Sequence, residues 1–514
     1  MTVLQPKQIW VLVLGAAILA LPLWCVATPA MPDYPAHLAG FYMIGGGAQH
    51  APLSRFYELG WSFVPNLASE LIVPALARLV PLEIATKLFL TAAVAMWVLG
   101  PAAIQRALTG RTTPAALAGA LFAYNANFTW GFFNYYFAAG LCFVLFAAWI
   151  AMREKRPVTL AFFASAVLAL YACHLVAVLL LLLLIGGYEL AQAELAPKAL
   201  WRRFWPIALV FLPTVLAFLL LKSAGVSGGR FAFDFDETLG DRLAAAIQLS
   251  FDEPAYLLLG GLMILWFAGL LYGVLSVRRE MRLCIIVLCL ATLLAPEWAM
   301  GGWGVHLRLP GVLGALLFAS VELRLSPRQS LALAAALLVT LGLSAAALTA
   351  SWRVYDQQYG EFRAALRALP EGMRYVTVID GDAMGTDPDQ PYWHMAEFAI
   401  LDRAGFTPLM FATKGQHVVQ VKPPYDRFVA MSAQQGSPPD VSELSDLAAG
   451  RDAADADIDE IFPYLKFFQC HFDIAVVVRG SGAEDDVPDF MSLRREGSFF
   501  SLYDIHPTPD CAKR

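Results

Sequence analysis

The stretch VTLAFFASAVLALYACHLVAVLLLLLLIGGYELAQ, residues 158–192, decides how this chain is threaded. It is apolar nearly throughout. A helix rises about 1.5 Å per residue, so one helix of this length would run about 50 Å, well beyond the roughly 30 Å of bilayer hydrocarbon. Two crossings with a break at Cys173-His174 fit better, and charge gives an independent check. Cytoplasmic loops collect Lys and Arg. With the N-terminus inside and two crossings here, the inner side holds Lys7, Arg106, Arg111, Arg153, Lys155, Arg156, Lys198, Arg202, Arg203, Arg278, Arg279, Arg282, Arg324 and Arg328, fourteen in all. The outer loops hold Arg55, Arg78, Lys222, Arg230, Arg242 and Arg308, six in all. A single helix over 158–192 would flip every later loop and abolish the bias.

The rest of the chain belongs to the same class. Of its 514 residues 58% are hydrophobic and only 15% charged, against about 25% charged in soluble proteins. The net charge of −6 says little, because the charges are segregated. Apolar runs predict eleven crossings, at about 8–27, 84–105, 113–127, 135–152, 158–172, 175–192, 205–222, 256–277, 283–296, 309–323 and 329–351. The expected fold class is therefore a polytopic α-helical membrane protein. The Lys and Arg count places the N-terminus in the cytoplasm and everything after Ser351 outside. The first segment has a weak basic region, and Val26-Ala27-Thr28-Pro29-Ala30 is a poor cleavage site because of its proline. It reads as an uncleaved anchor rather than a signal peptide.

Composition changes at Trp352. Residues 1–351 read as the transmembrane domain, with outer loop 1 at 28–70, and residues 352–514 as a periplasmic (extracytoplasmic) α/β domain. In that domain Asp356–Leu369 reads as an amphipathic helix and Trp393–Arg403 as helix closed by Gly405. Tyr375–Ile379, His417–Val421, Phe472–Val478 and Phe499–Tyr503 read as strands, and Gly436–Asp459 as an acidic, mobile loop. Loop 1 ends in Asn66–Val80, whose apolar spacing suits a helix lying flat at the interface. Cys142, Cys173, Cys284 and Cys289 fall in hydrophobic segments as buried thiols, and Cys25 ends the first crossing. Cys470 and Cys511 are alone in the outer domain. A disulfide between them is the simple pairing in an oxidising compartment; two free thiols are the other reading.

Chemistry concentrates in Met31-Pro32-Asp33-Tyr34-Pro35-Ala36-His37-Leu38. Asp33 and His37 are four apart and share a face if a helix starts there, which Pro35 permits. An aspartate beside a hydrocarbon wall can act as general base toward a hydroxyl or amine; the plainer role is capping the following helix. A second cluster runs from Pro296 to Pro310 and offers Glu297, His306, Arg308, Trp298 and Trp303 among flexible glycines. Arg308 suits a phosphate, because its fork donates two hydrogen bonds and stays charged. The plainer role is an aromatic belt with a snorkelling arginine. Asn134, in the turn Gly131-Phe132-Phe133-Asn134, and His174 at the break between crossings are lesser candidates. Asp234-Phe235-Asp236-Glu237 offers hard oxygen ligands for a divalent cation, but reads better as a solvated loop. There is no Walker A sequence, no Rossmann glycine pattern and no CxxC pair.

These parts together resemble the GT-C superfamily, integral-membrane glycosyltransferases that use polyprenyl-phosphate-linked sugars. The likeness rests on a first crossing, an acidic outer loop, a flat helix, many short crossings and a C-terminal outer domain. Asp-Tyr-Pro-Ala-His-Leu at 33–38 looks like the Asp-x-Pro-x-His-Leu segment of bacterial members; Gly-Phe-Phe-Asn at 131–134 and the loop 296–308 look similar too. The resemblance implies that Asp33, with His37, acts on the acceptor, and that Arg308 holds the donor phosphate, with His306, Glu297, His174 and Asn134 nearby. It also implies inversion by direct displacement of the polyprenyl phosphate, and a place in the bacterial inner (plasma) membrane. Loop 1 lacks an Asp-x-Asp or Glu-Asp pair, so the site is expected to take no metal and the chain no cofactor; a divalent metal is possible but not favoured. The expected partners are a polyprenyl-phosphate-linked sugar, the bilayer and an acceptor left open, with no nucleic acid. The competing readings are a transporter or flippase of a lipid-linked saccharide, and an assembly factor that has lost activity. Transporters place charged or broken helices at the midplane, whereas the polar residues here gather on the outer side.

Overall fold

The computed structural model describes residues 6–152, 157–221, 231–233, 238–249, 255–299, 302–381, 391–412, 414–428, 438–451, 465–480, 482–483 and 486–513. The charges at Arg153, Lys155, Arg156, Lys222 and Arg230 and the acidic run Asp234–Glu237 lie outside them. In chain order come α1 (Pro6–Cys25), α2 (Tyr34–Ile44), β1 (Tyr57–Leu59), α3 (Ala68–Leu76), α4 (Leu82–Thr109), α5 (Ala115–Ala120), α6 (Ala126–Trp130), α7 (Phe133–Ala151), α8 (Pro157–Cys173), α9 (Leu175–Leu190), α10 (Pro197–Leu221) and α11 (Leu239–Ala244). Then follow α12 (Tyr256–Leu271), β2 (Leu275–Val277), α13 (Arg279–Leu294), α14 (Pro310–Ala319), β3 (Val321–Leu323), α15 (Pro327–Leu366), β4 (Tyr375–Asp380), α16 (Phe398–Arg403), β5 (Val419–Val421), α17 (Leu444–Ala448), β6 (Ile474–Arg479), β7 (Met491–Glu496) and β8 (Phe500–Ile505). Helices α4, α7, α10 and α15 are long and apolar enough to cross a bilayer, and α1, α8, α9, α12 and α14 are shorter apolar helices. The chain is a polytopic helical membrane protein.

Two compact units divide it: residues 1–26, 63–72 and 87–351, and residues 27–62, 73–86 and 352–514. In the first unit the stretch 158–192 does break. α8 ends at Cys173, His174 takes an extended backbone, and its imidazole accepts a hydrogen bond from Val176 N at 3.2 Å to cap α9. Other expected crossings are less regular. The run 113–127 is α5, a 3₁₀ turn at Leu121–Ala123 and α6, interrupted where Asn125 bonds Phe122 O and caps α6 through Asn127 N. The runs 256–277 and 309–323 finish as β2 and β3, which pair antiparallel. Cys142 and Cys284 are buried, whereas Cys173 and Cys289 are only half-buried. The flat helix expected over 66–80 is shorter, ending at Leu76 after an internal Pro74.

The second unit is built on a four-stranded mixed sheet, order β4-β6-β8-β7, with β4 and β6 parallel and the other pairs antiparallel. β7, whose exposed charged residues hide its alternation, escapes the sequence reading. The described part of 436–459 is not loop but a 3₁₀ turn, Val441–Glu443, leading into α17, both under an Asp440 capping box. Cys470 and Cys511 are disulfide-bonded, with Cα atoms 5.3 Å apart. Most of loop 1 belongs here and not with the helices. β1 pairs with β5, Tyr57 opposite Val421, and Ala39, Met43, Leu53, Phe56 and Tyr57 share one core with Phe406, Met410, Val419, Phe468 and Val477. Loop 1 buries its apolar residues by lending a strand and α2 to the sheet domain. Burying a side chain such as Phe56, 1% exposed, contributes about 1.5–3 kcal/mol.

Candidate active site

In the second unit, Asp33 sits at the N-cap position of α2 with backbone in the right-handed helical region, and its carboxylate makes no cap hydrogen bond. A capping aspartate needs an extended backbone to turn its oxygen onto the first turn, so this conformation is not that of a cap. The half-buried carboxylate faces His394, with Oδ1 3.8 Å from Nε2. The other imidazole nitrogen, Nδ1, lies 3.8 Å from Oε2 of Glu397. His394 is 2% exposed and Glu397 fully buried. Neither Nδ1 nor Oε2 has a hydrogen-bond partner. The second Glu397 oxygen accepts from the Thr407 hydroxyl at 3.1 Å. Behind it, the Tyr57 hydroxyl accepts from Thr407 N and donates to Thr407 O. Burial holds that phenol well above its usual titration range, so it stays neutral.

Local sequence explains the arrangement. His394 and Glu397 are three apart across the 3₁₀ turn Met395–Glu397, which puts both on one side of the turn leading into α16. Phe411 wedges the imidazoles apart, its ring 4.7 Å from His394, 5.1 Å from His37 and 5.3 Å from His417. His37 lies one turn along α2 from Asp33, as the spacing requires, and its ring stacks on Phe41. Sequence reasoning missed His394, Glu397, Thr407 and Tyr57. The available signal was the one-turn spacing in His394-Met395-Ala396-Glu397, hidden inside a run that reads as ordinary helix.

The other candidates lie in the first unit. Arg308 closes a 3₁₀ turn, His306–Arg308, just ahead of α14. Its guanidinium donates to Trp303 O at 3.1 Å and stands 5.6 and 5.7 Å from the rings of Phe132 and Tyr135. Trp303 donates to Glu297 at 2.8 Å, which ties the loop to its own start. Gly304 has φ +70°, a left-handed backbone, and a Cβ there would come within 3.1 Å of Phe132; the glycine lets the loop lie on that ring. His306 is buried, its ring edge-on to Trp303. Tyr135 links the cluster to His174, their ring centroids 5.2 Å apart. Asn134 braces the backbone: its amide oxygen accepts from Ser69 N at 2.7 Å and its NH2 donates to Asn66 O at 2.9 Å. Among the described residues no group of three or more His, Cys, Asp or Glu side chains converges so as to hold a metal ion.

No family model and no curated protein matches the chain. Solved structures do. The crystal structure of ArnT from Cupriavidus metallidurans in the apo state is similar at TM-score 0.50 and 12% identity, over 97% of this chain and 98% of that one. Cryo-EM structures of a variant of the arabinofuranosyltransferase AftD from Mycobacteria, in two classes, are similar at TM-scores of 0.41 and 0.38 and identities of 17% and 16%. They match 99% of this chain but only 42% of AftD. The fold of this chain is similar to that of the ArnT structure over nearly the whole of both chains.

Proposed function

We propose that this protein is a membrane glycosyltransferase that moves a sugar from a polyprenyl-phosphate donor to an acceptor on the outer side of the bacterial inner membrane. Asp33 is the general base and Arg308 holds the donor phosphate. The observation that carries the reading is the Asp33 carboxylate: it is not spent on capping α2, and it stands half-buried opposite a buried imidazole. Likeness of fold to ArnT over nearly the whole of both chains supports the class. In the reaction, Asp33 takes the proton of the acceptor O–H or N–H, and the acceptor atom forms a bond to the anomeric carbon. The bond from that carbon to the phosphate oxygen breaks on the opposite face. The electron pair leaves with the polyprenyl phosphate, and the configuration inverts. Arg308 suits the leaving group because its charge is permanent and its donors are forked.

The test uses purified full-length protein and a panel of synthetic polyprenyl-phosphate-linked sugars, with release of polyprenyl phosphate as the readout. Turnover in wild type and its loss in Asp33→Asn, at unchanged melting temperature, is the expected result. Full turnover in the Asn variant removes Asp33 as base. Movement of the intact lipid-linked sugar across vesicles without cleavage would instead support the carrier reading.

A further inference from the structure

The Asp33 side chain keeps 14% of its surface exposed, whereas the two groups behind it, His394 and Glu397, are sealed in the core of the second unit. An ionised carboxylate in such a place needs donors for both oxygens. Glu397 has one donor, the Thr407 hydroxyl. The nearest donor for its other oxygen is His394 Nδ1 at 3.8 Å, itself without a partner. When one imidazole nitrogen carries its proton toward an acceptor, the other is left with a lone pair. In His394 that other nitrogen is Nε2, and it faces Asp33 Oδ1.

We propose that His394 and Glu397 are positioning residues for Asp33, forming a relay that removes the acceptor's proton from the reacting edge. The relay rests on the reading of Asp33 as base. Glu397 fixes the Nδ1–H tautomer, which leaves the Nε2 lone pair facing Asp33, ready to take the proton that Asp33 receives from the acceptor. When Asp33 takes the acceptor proton it becomes a neutral acid. It then passes a proton to Nε2 and is a carboxylate again. The imidazolium formed sits between two carboxylates, Asp33 and Glu397, and the pair at Glu397 is buried, where the attraction is strong. No atom is lost or gained; the proton returns to solvent after product leaves. The 3.8 Å gaps are longer than a hydrogen bond, and such bonds commonly tighten only when the reactants are bound. The buried chain Glu397–Thr407–Tyr57 holds the rear of the relay still, and the neutral Tyr57 hydroxyl ends it.

Two readouts test this. The first is solid-state NMR of full-length protein labelled with 15N-histidine, buffered above the ordinary imidazole range and assigned with His394→Gln. Wild type should show Nδ1 protonated and Nε2 bare, and Glu397→Gln should erase that preference. A proton on Nε2, a doubly protonated ring, or no response to Glu397→Gln overturns the relay. The second is turnover on the synthetic lipid-linked sugars. His394→Gln should lower kcat on the order of a hundredfold, with donor and acceptor KM within about twofold and the melting temperature retained. Glu397→Asp, which keeps the carboxylate, should recover more kcat than Glu397→Gln. An inactive Asp33→Asn beside a His394→Gln with wild-type kcat would leave the base standing and sink the relay. An active Asp33→Asn would sink both. If no sugar in the panel turns over, the NMR result decides the relay alone.

Discussion

The loop of Arg308 and the pocket of Asp33 solve opposite problems. Around Arg308, polar groups are bound to their own loop: Arg308 to Trp303 O, Trp303 to Glu297, and the guanidinium against the rings of Phe132 and Tyr135. A permanently charged fork can be held this way and still reach a phosphate, because it has five donors. Around Asp33, the carboxylate, His394 and Glu397 follow one another across two gaps of 3.8 Å, and His394 Nδ1 and Glu397 Oε2 are buried without hydrogen-bond partners. Such a pocket costs folding free energy unless something completes it. The first arrangement suits binding, which needs a fixed shape. The second suits proton movement, which needs a group able to change its charge.

The topology beneath that contrast can be broken outright. Alkaline phosphatase fused after Trp352 should be active and a fusion after Arg156 inactive; the reverse result at Trp352 would put the sheet domain in the cytoplasm and remove the reading of Asp33 as an outer-side base. Kinetics sharpen it next. Asp33→Asn should cut kcat by about 10² to 10⁴, the usual worth of a general base, with little change in donor KM. Arg308→Ala should do the reverse, raising donor KM by about tenfold or more, since hydrogen bonds to charged groups contribute about 1.5–3 kcal/mol. Arg308→Lys should fall between, keeping charge without the fork. An unchanged donor KM in the alanine variant would leave Arg308 as an interface anchor. The smallest effect is expected at Asn134. Its replacement by Ala should leave donor KM alone and cost about 1–3 kcal/mol of stability, through the unpaired Ser69 N–H and Asn66 C=O; a raised KM at normal melting temperature would restore it to the donor site.

The four binding candidates beside Arg308 differ in how well sequence could judge them. Glu297, His306 and His174 were legible as polar residues at the ends of apolar helices, and His174 does mark a break. Asn134 was legible only as a polar residue near a turn. Its two hydrogen bonds reach back to residues 66 and 69, a pairing that no local pattern encodes.

The membrane class, the break near residue 174 and the change of composition at Trp352 follow from the chain alone, because each is a property of consecutive residues: apolar length, local charge and composition. The β runs at 375–379 and 472–478 are legible for the same reason. The place of loop 1 is not, since its strand β1 pairs with β5 more than 350 residues later. The relay partners of Asp33 also come from that distance, His394 and Glu397 lying on a turn that only the folded second unit brings against α2. Tertiary structure alone decides them, because a carboxylate's neighbours are set by which surfaces share a core and not by which residues share a segment.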